Sequence, residues 1–492
     1  GYLSVAPLPD DASSTIEAFE AYAYNVVTDT TIDWRYDQPD SAVVTTFDFS
    51  IERKAESSTA GTMSWLFPHQ HKYLAEGTSL TEYTLFSAKG TLKAWTGTSF
   101  DTVKTYRGIL PELPGDQLDS SASSSLQSYV DSLIADSDVT ASADDSGPYT
   151  EWEPPAATYW VGKTLYRNAV AAPVARQHAS ADANANVFLD AVQDRLEHWF
   201  DATATQFDHA GQTYDTTNAD GQSRELFYYD PTLGTMLGYP SGEFFLSRQM
   251  NDHHFHYGYF VHAASEVARE NPGWVDEYGD FVNLLLRDYA NWERPANGGD
   301  GAPSVTLDGQ TPAESPTDAF PFLRNFDAYA GHSWAGGLGS WSGNNQEASS
   351  EAVNAYAAMI RWGEITGDDA IRDAGVFLYT QEVHAVWEYW FDVDDTAQPD
   401  DWGANVSDPG LGGAGGRTFE YATKVRGIGF DRDLWWSPVD PIEHYGINWI
   451  PTGGHSFYLG RDREYANANW QAMLDARAND PDVSAEPDAD FL

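Results

Sequence analysis

The hydrophobic period of this chain changes once, near residue 115, and that change restricts the fold more than any other feature. Before it, the segments SAVVTTFDFSIERK, GTMSWLFP, EYTLFSAKGTLKAWTG and DTVKTYRGIL are short and rich in Thr, Val and aromatic residues, with turn residues between them. Alternation is clear in TFDFSIE, where successive side chains must point to opposite faces of a sheet. Residues 1–115 are therefore expected to form an antiparallel β domain, a sandwich. After the change, ATYWVGKTLYRNAVAAPVARQ, NANVFLDAVQDRLEHWFDA, YGYFVHAASEVARE, GWVDEYGDFVNLLLRDYANW, EASSEAVNAYAAMIRWGEITG, DAIRDAGVFLYTQEVHAVWEYWF and REYANANWQAMLDARA carry apolar residues at helical spacing. Pro173 is expected to kink or end the first of these helices. Between the two regions lie the Pro- and Ser-rich LPELPGDQLDSSASSS, a predicted helix SLQSYVDSLIADS and the polar TASADDSGPYTEWEPP. Residues 116–150 are expected to be a linker. Many helices joined by long aromatic loops over residues 151–492 suit an α/α barrel or helical toroid, with a groove formed by the loops at one end. The fold class expected is thus multidomain, β followed by α.

Charge narrows the partners. There are 75 Asp and Glu against 27 Lys and Arg, a formal charge of −48, and lysine occurs only seven times. The acids run through DSDVTASADD, GDDAIRD, DVDDTAQPDD and DPDVSAEPDADF rather than forming one tail. Such a chain repels itself in dilute buffer. At molar salt the screening length falls to about 3 Å and the repulsion largely disappears. A hydrophobic content of 41 % and 18 Trp argue against a disordered acidic chain, so a folded protein adapted to high salt is expected. Nucleic acid is disfavoured by charge, and a neutral substrate fits better. No apolar run reaches the length of a membrane-spanning helix. The absence of cysteine excludes disulfides and thiolate metal sites. The chain begins at Gly1 without a signal-peptide pattern, which reads as a mature or trimmed form. Aromatic residues make up 14 % of it, enough to fill a core and to leave rings for stacking on sugars.

Two motifs carry candidate chemistry. NDHHFHYGYF, residues 251–260, sets Asp252 before His253, His254 and His256. The imidazoles are either metal ligands or the wall of a groove. On a strand His254 and His256 share a face; on a helix His253 and His256 are neighbours. Zinc would accept such donors, but the spacing is awkward and no HExxH motif occurs. PHQH, residues 68–71, falls in the β domain and would need a long-range meeting. Without a metal, Asp252 beside rings and imidazoles is expected to be partly desolvated, which raises a carboxyl pKa and makes it a proton donor. The second motif is WSGNNQEASSEAVNAY, residues 341–356. Glu347 and Glu351 stand four apart at the start of a predicted helix, which puts both on one face about 6 Å apart at Cβ. They are either acids decorating a helix start, favoured by its dipole, or a pair in a cleft with one pKa raised. Asn344, Asn345, Gln346, Ser349, Ser350, Asn354 and Tyr356 give this stretch a hydrogen-bonding character, with Trp334 and Trp341 flanking it. An acid facing a glutamate across a groove is the two-carboxylate arrangement of glycoside hydrolysis, and room for a water between them predicts inversion.

Six blocks in order resemble glycoside hydrolase family 81, the endo-β-1,3-glucanases or laminarinases: LFPHQH, FYYDPTLGTMLGYP, NDHHFHYGYF, RNFDAYAGHSWAGG, GNNQEASSEAVNAY and GINWIPTGGHSFYLG. The resemblance implies a β-sandwich, a small linker domain and an (α/α)6 barrel with the cleft across its end. It implies inverting hydrolysis of internal bonds in β-1,3-glucan, with no cofactor and no metal. Asp252 is then the general acid and Glu347 the base that activates water, while Glu351 orients that water or tunes Glu347. The same resemblance puts His254, His256, Asp327, His332, Trp334 and Asn345 in the groove as sugar-binding residues. The short segment before LFPHQH implies a reduced sandwich, and the acidity looks like that of a halophilic archaeal version, secreted and monomeric. Other readings stay open. A lyase or phosphorylase on an α/α barrel would want basic residues in its cleft, for which Arg324 is a candidate, or a phosphate site, for which no Gly-rich loop is present. A metal-dependent hydrolase would use His253, His254 and His256. A binding module without catalysis would lack the acid or base, yet all three carboxylates are present.

Overall fold

Alternation builds the N-terminal region into two three-stranded antiparallel sheets. One has the order β1 (Asn25–Asp37), β2 (Ala42–Arg53), β6 (Ser99–Thr105); the other has β3 (Thr62–Leu66), β5 (Gly90–Gly97), β4 (Leu80–Ser87). The period of two that runs into TFDFSIE puts Val43, Thr45 and Phe47 in the interior. The sheets meet through rings, with Trp95 of one 5.0 Å from Phe100 and 6.0 Å from Phe49 of the other. Helix α1 (Ser13–Glu20) and strand β1 lack a clear sequence pattern; β1 exposes Val27, Thr28, Asp29 and Thr30 in succession, which interrupts its alternation. A one-turn helix α2 (Pro68–His71) occupies PHQH. The computed structural model describes residues 5–54, 59–113, 119–135, 158–178, 182–201, 226–230, 233–239, 249–294, 319–338, 343–398, 421–427, 429–431, 434 and 441–478.

Then follow α3 (Ser120–Ala135), α4 (Thr158–His178), α5 (Asp182–Phe200), the antiparallel pair β7 (Leu226–Asp230) and β8 (Thr235–Tyr239), α6 (His253–Glu270), α7 (Val275–Ala290), α8 (Ser349–Thr366), α9 (Asp369–Ala385), α10 (Pro441–Gly446) and α11 (Arg463–Ala478). Every residue of α6 from His253 to Ala268 is buried, which marks it as a central helix rather than an amphipathic surface one. It packs against α4, α7 and α8. Two glycines set those approaches. A Cβ on Gly258 would lie 2.7 Å from the Ala355 methyl on α8, and one on Gly162 would lie 3.1 Å from the His256 carbonyl. The backbones come close because neither side chain is there.

Three expectations are corrected. Pro173 does not end α4, which runs to His178; Ala172 and Ala175 pack with Phe188, Val130 and Leu133 in a small cluster with α3 and α5, and this packing carries the helix past the missing amide. Helix α6 starts at His253, one turn before the apolar pattern begins. Helix α8 starts at Ser349, so Glu347 is outside it. The predicted helix of the 116–150 segment is α3, packed on α4 and α5; the rest of that segment, apart from Asp119, lies outside the described residues.

The β region is joined firmly to the helices. Trp34 stacks on Phe377 of α9 with centroids 4.6 Å apart, Lys72 pairs with Glu388 at 2.8 Å, and Gln381 donates to Thr45. A stacked aromatic pair adds about 0.5–1.5 kcal/mol beyond the area it buries. No helix among the described residues is long and apolar enough to cross a membrane.

Candidate active site

The site is assembled where the entrance to α6 meets the entrance to α8. Asp252 is the residue before α6 and adopts a left-handed conformation, φ 56° and ψ 17°. That region costs most side chains about 1–2 kcal/mol and is least costly for Asn and Asp. Met250 is left-handed too, at φ 57°, so the chain turns sharply into the helix. The Asp252 carbonyl accepts from the amides of Phe255 and His256, and its own amide donates to the Ala335 carbonyl at 2.9 Å. Its carboxylate does not cap the helix. Alongside, a Cβ on Gly337 would sit 1.9 Å from the Gln249 carbonyl; only glycine lets the 335–338 strip lie this close to the turn. The amide of Ala335 donates to the Asn345 carbonyl at 2.8 Å. One residue thereby ties the Asp252 turn to the segment leading to the glutamates.

That segment forms a small sheet, β11 (Asn345–Gln346) with β12 (Lys424–Arg426) and β13 (Gly429–Asp431). It delivers Glu347, a quarter exposed, to buried Lys424, with Nζ and Oε2 2.6 Å apart. One turn later, in the first turn of α8, Glu351 is buried. The phenols of Tyr259 and Tyr159 both donate to it. Burial raises the pKa of Glu351; Glu347 adds to that, while Lys163 and the two phenols oppose it. The two glutamates thus have unlike surroundings, one ion-paired beside solvent and one buried among phenols, the usual basis for unlike roles. Burial also pushes the Tyr159 hydroxyl well above its ordinary range, reinforced by Glu351, Glu347 and Asp252. Three carboxylates from two motifs therefore act on one phenol.

The three histidines diverge. His253 Nδ1 lies 2.6 Å from Asp288, His254 Nε2 lies 3.2 Å from the Gln346 amide, and His256 Nδ1 lies 2.9 Å from the Thr158 hydroxyl. Burial holds His254 down to about 3 and His256 well below the imidazole range. His69 of PHQH bonds to Tyr389 instead. Among the described residues no three metal-ligating side chains gather. Rings aimed at three different elements do not fit a metal, which corrects the reading of this cluster as a ligand set. His254 and His256 stand behind the site rather than on its surface.

Asp327, His332 and Trp334 form an adjoining wall on the ladder of β9 (Phe326–Asp327) and β10 (His332–Ser333). Asp327 accepts from the amides of Tyr329 and Ala330 and from the Trp334 indole at 3.2 Å. His332 is fully buried with its ring against Trp334, whereas Trp334 and Asn345 remain half-buried. Behind them sits Lys89, from the turn between β4 and β5. Its Nζ is 3.3 Å from His332 Nε2 and 4.8 Å from the Trp334 ring centre. Burial lowers Lys89 to about 8, with Asp327 opposing the shift. Trp341 lies outside the described residues.

Sequence reasoning missed Tyr159, Lys163, Tyr259, Lys89 and Lys424. The usable signal was rarity. Only seven lysines occur in so acidic a chain, and three of them stand at this site.

A multidomain β-plus-α chain that gathers three carboxylates beside a half-buried indole has the make-up of a carbohydrate-active hydrolase. This chain belongs to glycosyl hydrolase family 81: residues 130–484 match the profile of the family's C-terminal domain. It is 38 % identical over 477 residues to a glucan endo-1,3-beta-D-glucosidase of Acetivibrio thermocellus, covering 96 % of this chain and 52 % of that protein. It is 33 % identical over 488 residues to a glucan endo-1,3-beta-D-glucosidase of Thermobifida fusca, covering 98 % and 54 %. A solved glycoside hydrolase family 81 structure from Clostridium thermocellum superposes with a TM-score of 0.75 at 36 % identity, covering 95 % of this chain and 56 % of that one. The chain spans about half the length of the curated relatives it matches.

Proposed function

We propose that this chain cleaves internal β-1,3-glucosidic bonds of β-1,3-glucan with inversion. Asp252 protonates the leaving oxygen, Glu347 removes a proton from the attacking water, and Glu351 holds that water or tunes Glu347. The bonds from the Asp252 amide to Ala335, from the Ala335 amide to Asn345 and from Tyr259 to Glu351 carry this reading, because they hold together the two helix entrances that bear Asp252, Glu347 and Glu351. The ion pair with Lys424 fixes Glu347 in one orientation, as a base aimed at a water requires. Trp334 and Asn345 offer the sugar a ring face and an amide, and Asp327 holds the indole by its N–H. His254, His256 and His332 support that wall from within. The names of the relatives in Acetivibrio thermocellus and Thermobifida fusca supply the substrate.

We also propose that the chain divides into a reduced β-sandwich over 1–115, a linker over 116–150 and an (α/α)6 barrel over 151–492. Support comes from the change of period together with the central, all-round buried α6 between α4, α7 and α8. The chain is also read as an extracellular protein of a high-salt setting, of halophilic archaeal type. Supporting this are the charge of −48 and the burial of Lys89, Lys104 and Lys424, three of the chain's seven lysines.

The test is NMR of laminarin hydrolysis at early times. Direct attack by water gives the α-anomer first. Initial β-anomer would overturn inversion, and no cleavage of laminarin would overturn the substrate.

A further inference from the structure

The turn that carries Asp252 is anchored on both sides, and one buried residue takes part in both anchors. Asp288, near the end of α7, is fully buried. Its Oδ2 is 2.6 Å from Nδ1 of His253, the first residue of α6 and the direct neighbour of Asp252. Its Oδ1 accepts from the Thr235 hydroxyl at 2.7 Å and from the Met236 amide at 2.8 Å, both on β8. Three donors thus meet one carboxyl group. Burial alone would raise the pKa of Asp288, but His253, Arg324 and these bonds bring it below the ordinary carboxyl value. A carboxylate accepts and does not donate, so Nδ1 of His253 carries the ring proton. The backbone of Asp288 serves the other side of the turn. Its carbonyl accepts from Arg324 Nε at 2.9 Å, and Arg324 Nη1 lies 3.0 Å from the sulfur of Met250. Met250 and Asp252 are both left-handed, at φ 57° and 56°. Non-glycine residues stay in that region only where their surroundings impose it.

We propose that Asp288 is a positioning residue for the general acid: by holding His253 on one side and, through Arg324, Met250 on the other, it keeps Asp252 in the left-handed turn from which its carboxyl meets the leaving oxygen. The role rests on the reading of Asp252 as the acid. It belongs to the acid half of the site. Glu347 and Glu351 are held by other bonds, to Lys424 and to the phenols of Tyr159 and Tyr259. Loss of the Asp288 carboxylate therefore disturbs protonation of the leaving group and leaves the attack of water in place.

Two substrates separate this role from general damage to the fold. Laminarin has a leaving group that needs a proton, whereas the β-fluoride of a laminari-oligosaccharide departs with little help from an acid. Asp288→Ala removes the side-chain anchor. It should lower kcat on laminarin by at least about tenfold with a smaller change in KM, as expected for lost alignment, and keep turnover of the fluoride within about threefold of wild type. Asp252→Asn, which lacks the acid itself, should show the same split. Asp288→Asn should recover most of the laminarin activity: its Oδ1 still accepts from Thr235 and Met236, and its amide donates to His253 Nδ1 once the ring proton moves to Nε2. Should Asp288→Ala not fold, His253→Leu removes the same bond from the other end and is read in the same way. An equal loss on both substrates, or wild-type kcat on laminarin in the folded variant, overturns the positioning role and leaves the proposed function standing. A wild type inactive on both substrates, or an Asp252→Asn variant as active as wild type on laminarin, overturns the acid assignment, and the positioning role with it.

Discussion

The Tyr259 phenol donates to Oε1 of Glu351, joining the helix that follows Asp252 to the helix whose first turn carries the buried glutamate. The bond exists because Gly258 lets the two helices close on Ala355, and it stabilises the ionised form of Glu351 against its burial. Replacing Tyr259 with Phe removes a donor to the charged form, so the Glu351 pKa rises further. If Glu351 acts ionised, the acidic limb of the kcat profile moves to higher pH, by about one unit for the loss of one hydrogen bond to a charged group. Tyr159→Phe moves it the same way. A pH–rate profile on laminarin checks this, and a shift toward lower pH would contradict it.

Asp252→Asn and Glu347→Gln each remove one proton-transfer group while keeping the shape of the side chain. Each is expected to lower kcat on laminarin by about 10²–10⁴-fold, the usual worth of general acid–base catalysis, with an unchanged circular dichroism spectrum. Near-wild-type turnover in either variant would remove that residue from its assigned role.

Lys89 reaches the site from the β region and fixes His332 and the Trp334 ring. Lys89→Met keeps the apolar stem and removes the ammonium. It is expected to raise KM for laminarin several-fold with a smaller loss of kcat, because Trp334 loses its support while the three carboxylates keep theirs. Steady-state kinetics separate the two constants, and a loss confined to kcat would argue against a binding-wall role.

A charge of −48 opposes folding wherever salt does not screen it. The thermal midpoint is expected to rise steadily from dilute buffer to about 1 M salt and beyond, where the screening length is about 3 Å. Circular dichroism melts across a salt series measure it. A midpoint already maximal in dilute buffer would rule out salt adaptation.

Sequence by itself determined the periods, the charges and the chemical kinds of residue. A period of two before residue 115 and of about 3.6 after it separated sheets from helices, because a side chain's face is set by local backbone geometry alone. It also marked Asp252, Glu347 and Glu351, since acids among amides and rings stand out even in so acidic a chain. Tertiary structure decided everything that depends on a partner far along the chain. His253, His254 and His256 are adjacent in sequence, yet their ring nitrogens bond to residues 35, 92 and 98 positions away, which no local spacing can specify. The same holds for Glu347, which the i, i+4 spacing put on a helix but which the β11–β12 ladder holds outside it, against Lys424. Lys89 crosses from the β region to the site for the same reason: hydrogen bonds and ion pairs act through space over a few ångströms, and only the packed fold decides which groups come that close.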